Sequence, residues 1–295
     1  MIVTSILTAY LGQYWNLSDV RITALHTGMS SATWIVERGD GKWVAKLVAP
    51  HAGRQFGRAL ELPGCLERSG IPAGVPVTAI DGRLAVDVGD GWLALLSWVP
   101  GDPLTGRSKA DKQLIGNTLA MVHRALADSE TADANRFHWV DPDASYLSLR
   151  PWLRPAISAA LVALDAAGAE GMTWGILHAD PAPDAFRLDP ATGQCGMIDW
   201  SYFLHGPLLY DVASAVMYTG GIAASGDLVE AYLRHGLMDA AEVHAGIGPM
   251  VRFRWAVQAN YFAWRIAEND LTGLSGPAGN ETGLEDAHRA LTGYL

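Results

Sequence analysis

Polar and apolar positions alternate through the first third of the chain and then change period. The runs VRITAL (20–25), SATWIVER (31–38) and KWVAKLV (42–48) read polar-apolar with a period of two, which predicts half-buried strands. RGDGK, with glycines at 39 and 41, predicts a hairpin turn between the last two. Residues 54–70 have a helical pattern that Pro63 and Gly64 shorten or break. GWLALLSWVPGDPL (91–104) predicts a buried strand that ends in a Pro-Gly turn near Pro100. A twisted antiparallel sheet follows from these segments.

From Lys109 the apolar positions recur at helical spacing. KADKQLIGNTLAMVHRALAD places Leu114, Leu119, Val122 and Leu126 near one face, and RPAISAALVALDAAGA and GDLVEAYLRHGL follow the same period. The boundary between the sheet-rich and helical parts is expected near Pro100–Pro103, giving residues 1–100 and 101–295 as two lobes sharing one cleft. TGLSGPAGNETG (272–283) predicts a loop before a last helix. With 295 residues and 49% hydrophobic content, the chain has ample material for such a core. No basic residue precedes Arg21, as the start of a signal peptide would require, and no long uninterrupted apolar run appears. A soluble, cytoplasmic protein with no membrane partner is therefore expected. Cys65 and Cys195 stand in unlike contexts and support neither a disulfide framework nor a zinc site.

The net charge of −10 is unevenly placed. Residues 1–100 carry eight basic and eight acidic side chains, so the excess lies wholly in 101–295, with 13 basic and 23 acidic. An acidic field opposes a nucleic-acid groove and concentrates cationic small molecules. The helical pattern is interrupted by GILHADPAPDAFRLD (175–189) and GMIDWSYF (196–203). In each, a short apolar run ends near an aspartate, Asp180 in one and Asp199 in the other. The runs predict two short buried strands joined by the turn DPATGQ, with both carboxylates at neighbouring strand ends. A metal clamp and a general base are the uses this pattern leaves open.

Taken in order, the motifs resemble those of the aminoglycoside phosphotransferase and choline kinase family, a branch of the protein-kinase-like fold, over residues 20–265. HTGMSSATWIV stands where that family has a small-residue phosphate loop. VAK is similar to its strand lysine, SWVPGDPL to its hinge, and LAMVH to its Leu-Ala-x-x-His helix end. HAD matches the catalytic His-x-Asp, GMIDW the metal aspartate, and GPLLYDVA the trailing Tyr-Asp-Leu-Ala element. The resemblance implies an α+β, two-lobed kinase-like fold, with an N-terminal antiparallel sheet lobe and a larger helical C-terminal lobe.

It also implies roles. Asp180 would accept or orient the proton of an attacking hydroxyl, Asp199 would hold Mg2+, and Lys46 would pair with the phosphates of ATP or GTP. Gly28, Ser30 and Ser31 would cradle phosphate through their backbone N–H groups, and the main chain around Ser97 and Val99 would bind the base. Asp211 reads as a structural anchor of the catalytic loop, and His178 as its brace. Two departures from the family pattern matter. Ala185 occupies the place of a metal-binding Asn, and the adjacent Asp184, a hard oxygen donor, is the candidate replacement. Glu61 is the candidate partner of Lys46, although it stands nearer SGIP than the pattern has it.

On the acceptor side, RFRWAVQANYFAWRIAEND predicts a helix carrying Trp255, Tyr261, Phe262 and Trp264, with Glu268 and Asp270 at its end. Trp264 and Asp270 are the candidate substrate contacts, suited to a cationic or sugar-bearing acceptor such as an antibiotic or a related metabolite. A hydroxylated small molecule is the expected acceptor. A peptide Ser/Thr kinase and a nucleotide-binding pseudokinase scaffold are the competing functions, the second supported by Ala185.

Overall fold

The computed structural model describes residues 4–25, 29, 31–129 and 134–293. The chain forms two compact units. One comprises Met1–Gly101 with Asp189–Tyr202 and Thr272–Leu274, and the other Asp102–Leu188, Phe203–Leu271 and Ser275–Leu295. Among the described residues, no helix is long and apolar enough to cross a membrane.

The first unit is built on a five-stranded sheet. Helix α1 (Thr4–Trp15) precedes β1 (Arg21–Leu25), β2 (Ser31–Arg38) and β3 (Gly41–Val48), and after two short helices come β4 (Val86–Asp87) and β5 (Trp92–Ser97). The order is β1-β2-β3-β5-β4, and every pairing is antiparallel. Arg38 faces Gly41 across the hairpin, whose first turn residue, Gly39, has φ 56°, a backbone state glycine adopts without steric cost. Because side chains alternate along a strand, β3 sends Ala45 to one face and Lys46 and Val48 to the other. Leu7, Leu11 and Trp15 of α1 pack on the Ala45 face with Trp34, Val36, Leu93 and Leu95. Val48 and Ala94 on the opposite face pack with Phe56 and Leu60.

The helical stretch after β3 is broken, as its Pro-Gly pair predicts, but earlier than those residues. Helices α2 (Gly53–Ala59) and α3 (Leu62–Arg68) part at Leu60–Glu61, and Pro63 lies in the first turn of α3, where a missing N–H costs nothing. Residues 189–202 join this unit through the strand Cys195–Met197. Met197 N–H donates to the Pro72 carbonyl at 2.8 Å, and a Cβ on Gly196 would lie 2.4 Å from that carbonyl oxygen. Only glycine allows this approach.

The second unit is mostly helical. It contains α4 (Lys109–Ala125), α5 (Leu153–Ala166), α6 (Leu209–Tyr218), α7 (Gly226–Leu233), α8 (Ala240–Ala267) and α9 (Ala278–Thr292). Ser108 caps α4 by accepting from Asp111 N–H at 3.0 Å. The buried face of α4 includes Ile115, Leu119 and Val122, whereas Leu114, assigned to that face by period alone, is only half-buried. Helix α9 starts at Ala278, inside the stretch expected to be loop, because Pro277 presets the helical φ just ahead of it. The strand Trp174–Leu177 pairs antiparallel with Leu204–Pro207. A further strand, Phe186–Leu188, which the sequence reading missed, pairs with Asp102–Pro103.

Candidate active site

Lys46 and Asp199 meet within the first unit. Lys46 is 5% exposed on β3, opposite Thr33 of β2 and Ala94 of β5, and its ammonium forms an ion pair with Asp199 Oδ1. Ser201 Oγ donates to the same oxygen at 2.9 Å. Asp199 has φ 77°, a left-handed state that Asp tolerates better than most side chains. Trp200, 3% exposed, donates its indole N–H to the Met197 carbonyl at 2.8 Å and fixes the turn. A buried ammonium is costly unless paired. The Asp199 side chain, by contrast, is 57% exposed and can still reach a ligand.

Glu61 does not pair with Lys46. It lies exposed at the start of α3, its carboxylate 3.6 Å from Arg58 one helical turn away. Ser31 is buried, with its hydroxyl 3.4 Å from that of Thr33, while Gly28 and Ser30 lie outside the described residues. Ser97 N–H donates to the Val75 carbonyl at 2.9 Å, so that donor is already used. Val99 is 6% exposed, just beyond the end of β5.

Asp180 belongs to the second unit, on a loop that follows the strand Trp174–Leu177. Asp211, fully buried on α6, holds that loop from below: Oδ2 accepts from His178 N–H at 2.7 Å and Oδ1 from Ala179 N–H at 2.9 Å. Nε2 of the LAMVH histidine, His123, lies 3.1 Å from Asp211 Oδ2, and its Nδ1 lies 2.7 Å from the Tyr232 hydroxyl. A carboxylate only accepts, which assigns the His123 proton to Nε2 and makes Tyr232 the donor to Nδ1. Ala179 is held at φ 73°, strain that this anchoring overcomes. Replacing Asp211 with alanine strands two buried N–H groups and His123. A loss of about 3–5 kcal/mol is expected, read from the urea midpoint at unchanged slope.

The Asp180 carboxylate is half exposed. Its Oδ1 accepts from the Tyr218 hydroxyl at 2.6 Å and from Arg254 Nη2 at 2.8 Å. Neither Tyr218 nor Arg254 was singled out from sequence, where each passes for an ordinary member of an apolar helix. Loss of solvent, and then the Asp180 charge, push the Tyr218 phenol well above its usual range, so it remains a donor. Asp184 sits exposed on the 3₁₀ turn Pro183–Ala185, and the Ala185 methyl is buried.

The late aromatic residues do not form one wall. Phe262 faces α9, where a Cβ on Gly283 would lie 2.2 Å from its ring, while Tyr261 and Trp264 are neighbours with ring centroids 6.3 Å apart. Trp264 is 38% exposed. Asp270 turns back to the buried Arg265, 3.3 Å away, and ties down the end of α8. Burial raises the Tyr261 phenol first of all, and the Asp270 and Asp180 charges act in the same direction.

A family model described as "Phosphotransferase enzyme family" matches residues 21–247. The homoserine kinase of Methylobacillus glycogenes is 26% identical over 201 residues, which cover 66% of this chain and 62% of that relative. The chain thus spans less than two thirds of its length. Among solved structures, the microcompartment-associated aminopropanol kinase superposes with a TM-score of 0.74 at 19% identity, covering 98% of this chain and 95% of that one. Amicoumacin kinase hAmiN, solved in complex with AMP-PNP, Ca2+ and Ami, gives 0.73 at 13% identity, covering 98% and 93%. At these identities the two structures speak to fold alone.

Proposed function

Because the chain belongs to the phosphotransferase enzyme family, we propose that it transfers the terminal phosphoryl group of ATP or GTP to the hydroxyl of a small amino alcohol. The observation that carries the reading is the buried Lys46 paired with the exposed Asp199. A fixed cation next to a hard oxygen donor suits the phosphates of a nucleotide and the metal that accompanies them.

Magnesium keeps several waters and takes one or two carboxylates plus substrate phosphates rather than an all-protein cage. Asp199, with Asp184 as the second donor, would hold the ion, and the ion would neutralise charge on the phosphate oxygens. Ser31, together with Gly28 and Ser30, would offer backbone N–H groups to phosphate, and the main chain from Ser97 to Val99 would receive the base.

The rest of the chemistry falls to Asp180. Oδ1 is occupied by two donors, and among the described residues no donor reaches Oδ2. Oδ2 therefore accepts the hydroxyl proton as the acceptor oxygen bonds to phosphorus and the bridging P–O bond breaks, with the electron pair leaving on the nucleoside diphosphate. The charge excess in residues 101–295, together with Tyr261 and Trp264, favours an acceptor that carries an ammonium group. The sequence relative named a homoserine kinase supports a small amino alcohol over an antibiotic. Trp264 remains a proposed acceptor contact, and Asp270 would act there through Arg265.

Asp184→Ala is expected to raise the magnesium concentration at half-maximal nucleoside diphosphate release by about tenfold, while Ala185→Asn changes it little because that side chain points into the fold. A silent Asp184→Ala together with a gain in Ala185→Asn would leave Asp199 as the sole carboxylate on the metal.

A further inference from the structure

Helix α6 carries three polar side chains at successive turns, Tyr210, Ser214 and Tyr218, which share one face at this spacing. Ser214 and Tyr218 meet Arg254 of α8. Ser214 Oγ donates to the Tyr210 carbonyl at 2.9 Å and accepts from Arg254 Nε at 3.0 Å. Arg254 Nη2 donates to Asp180 Oδ1 at 2.8 Å and to the Tyr218 hydroxyl at 3.2 Å, and that hydroxyl donates to Asp180 Oδ1 at 2.6 Å. The Arg254 side chain is 8% exposed, whereas that of Asp180 is 49% exposed. A buried guanidinium is thus aimed outward at an accessible carboxylate.

We propose that Arg254 and Tyr218 are positioning residues for phosphoryl transfer, holding Oδ1 of Asp180 so that Oδ2 alone takes the proton of the acceptor hydroxyl. The inference rests on the kinase reading above. A carboxylate free to rotate presents either oxygen in many directions, and a base must lie within hydrogen-bond reach of one particular proton. Two donors converging on Oδ1 remove that rotation. Tethering through Nε to Ser214 fixes the guanidinium plane, so the Nη2 direction is set by the packing of α6 on α8. Lysine has no second nitrogen with which to hold Ser214 while reaching Asp180. In the transfer itself the hydroxyl O–H bond breaks, its proton passes to Oδ2, the new O–P bond forms, and the nucleoside diphosphate departs with the bridging electron pair. Arg254 and Tyr218 keep their protons throughout.

The test compares Arg254→Ala, Arg254→Lys and Tyr218→Phe with the wild type and Asp180→Asn, using homoserine and 1-amino-2-propanol as acceptors and coupled detection of nucleoside diphosphate. Arg254→Ala should lower kcat about a hundredfold with the nucleotide KM within about twofold, and added guanidinium chloride at millimolar concentration should restore part of the rate. Arg254→Lys should stay low. Tyr218→Phe, which removes one oxygen and keeps the ring, should lower kcat about fivefold, and it carries the test if the arginine variants do not fold. The inference is overturned if Tyr218→Phe and the folded arginine variants keep native kcat, or if the loss appears only in KM. With an active wild type and an inert Asp180→Asn, such a result removes this inference and leaves the kinase reading standing. A wild type that turns over neither acceptor removes both.

Discussion

Asp180→Ala is expected to cut turnover by about 10²–10⁴-fold while leaving nucleotide affinity within about twofold. The asymmetry follows from where the side chain sits. Its Oδ1 accepts from Tyr218 and Arg254, and Oδ2 remains for a hydroxyl proton. Removing it leaves the nucleotide's own contacts untouched and takes away the proton acceptor. Alanine also strands the Arg254 guanidinium, so a folded-state control is needed. Circular dichroism melting serves for that, and Asp180→Asn, which keeps the shape and an acceptor for Arg254, should be equally inert. Near-native turnover in either folded variant would remove Asp180 from the chemistry.

Asp199→Ala is expected to fail differently. It should abolish turnover and also weaken magnesium-dependent nucleotide binding by about 10–100-fold, the loss typical of damage around a metal site, as read by titration calorimetry with and without the ion. The partner lysine is buried, so the variant leaves its ammonium without the carboxylate that compensates it. Binding of metal-free nucleotide should be spared, because that ammonium then turns to phosphate. Equal losses with and without magnesium would mean that Asp199 serves only to hold Lys46.

Much of the first unit was legible because its strands are half-buried. The period of two in SATWIVER and KWVAKLV marks the faces, and the Gly39 turn marks the join. Lys46 and Asp199 were each legible as motif residues, yet their direct pairing was not, since it depends on Met197 docking at Pro72 and on the close approach at Gly196. The Asp211 anchor was likewise readable from order along the chain. Arg254 and Tyr218 were not. Each lies on a helix whose apolar neighbours dominate the pattern, and their role appears only when α6 packs on α8. The faint signal was the spacing of Tyr210, Ser214 and Tyr218, four residues apart along α6, where the remaining residues except Asp211 are apolar. Glu61 was misassigned for a related reason: residue type and spacing suggested a partner for Lys46, but the break between α2 and α3 turns that side chain outward to Arg58.

The most direct test of the central claim is nucleoside diphosphate release by the wild-type chain with ATP or GTP and magnesium, across a panel of amino alcohols that includes homoserine, with ³¹P NMR of the products. The account predicts acceptor-dependent release matched by a new phosphomonoester signal, both lost in Asp180→Asn. Release that proceeds equally without any acceptor, or nucleotide binding with no phosphomonoester formed from any hydroxylated compound, would contradict it.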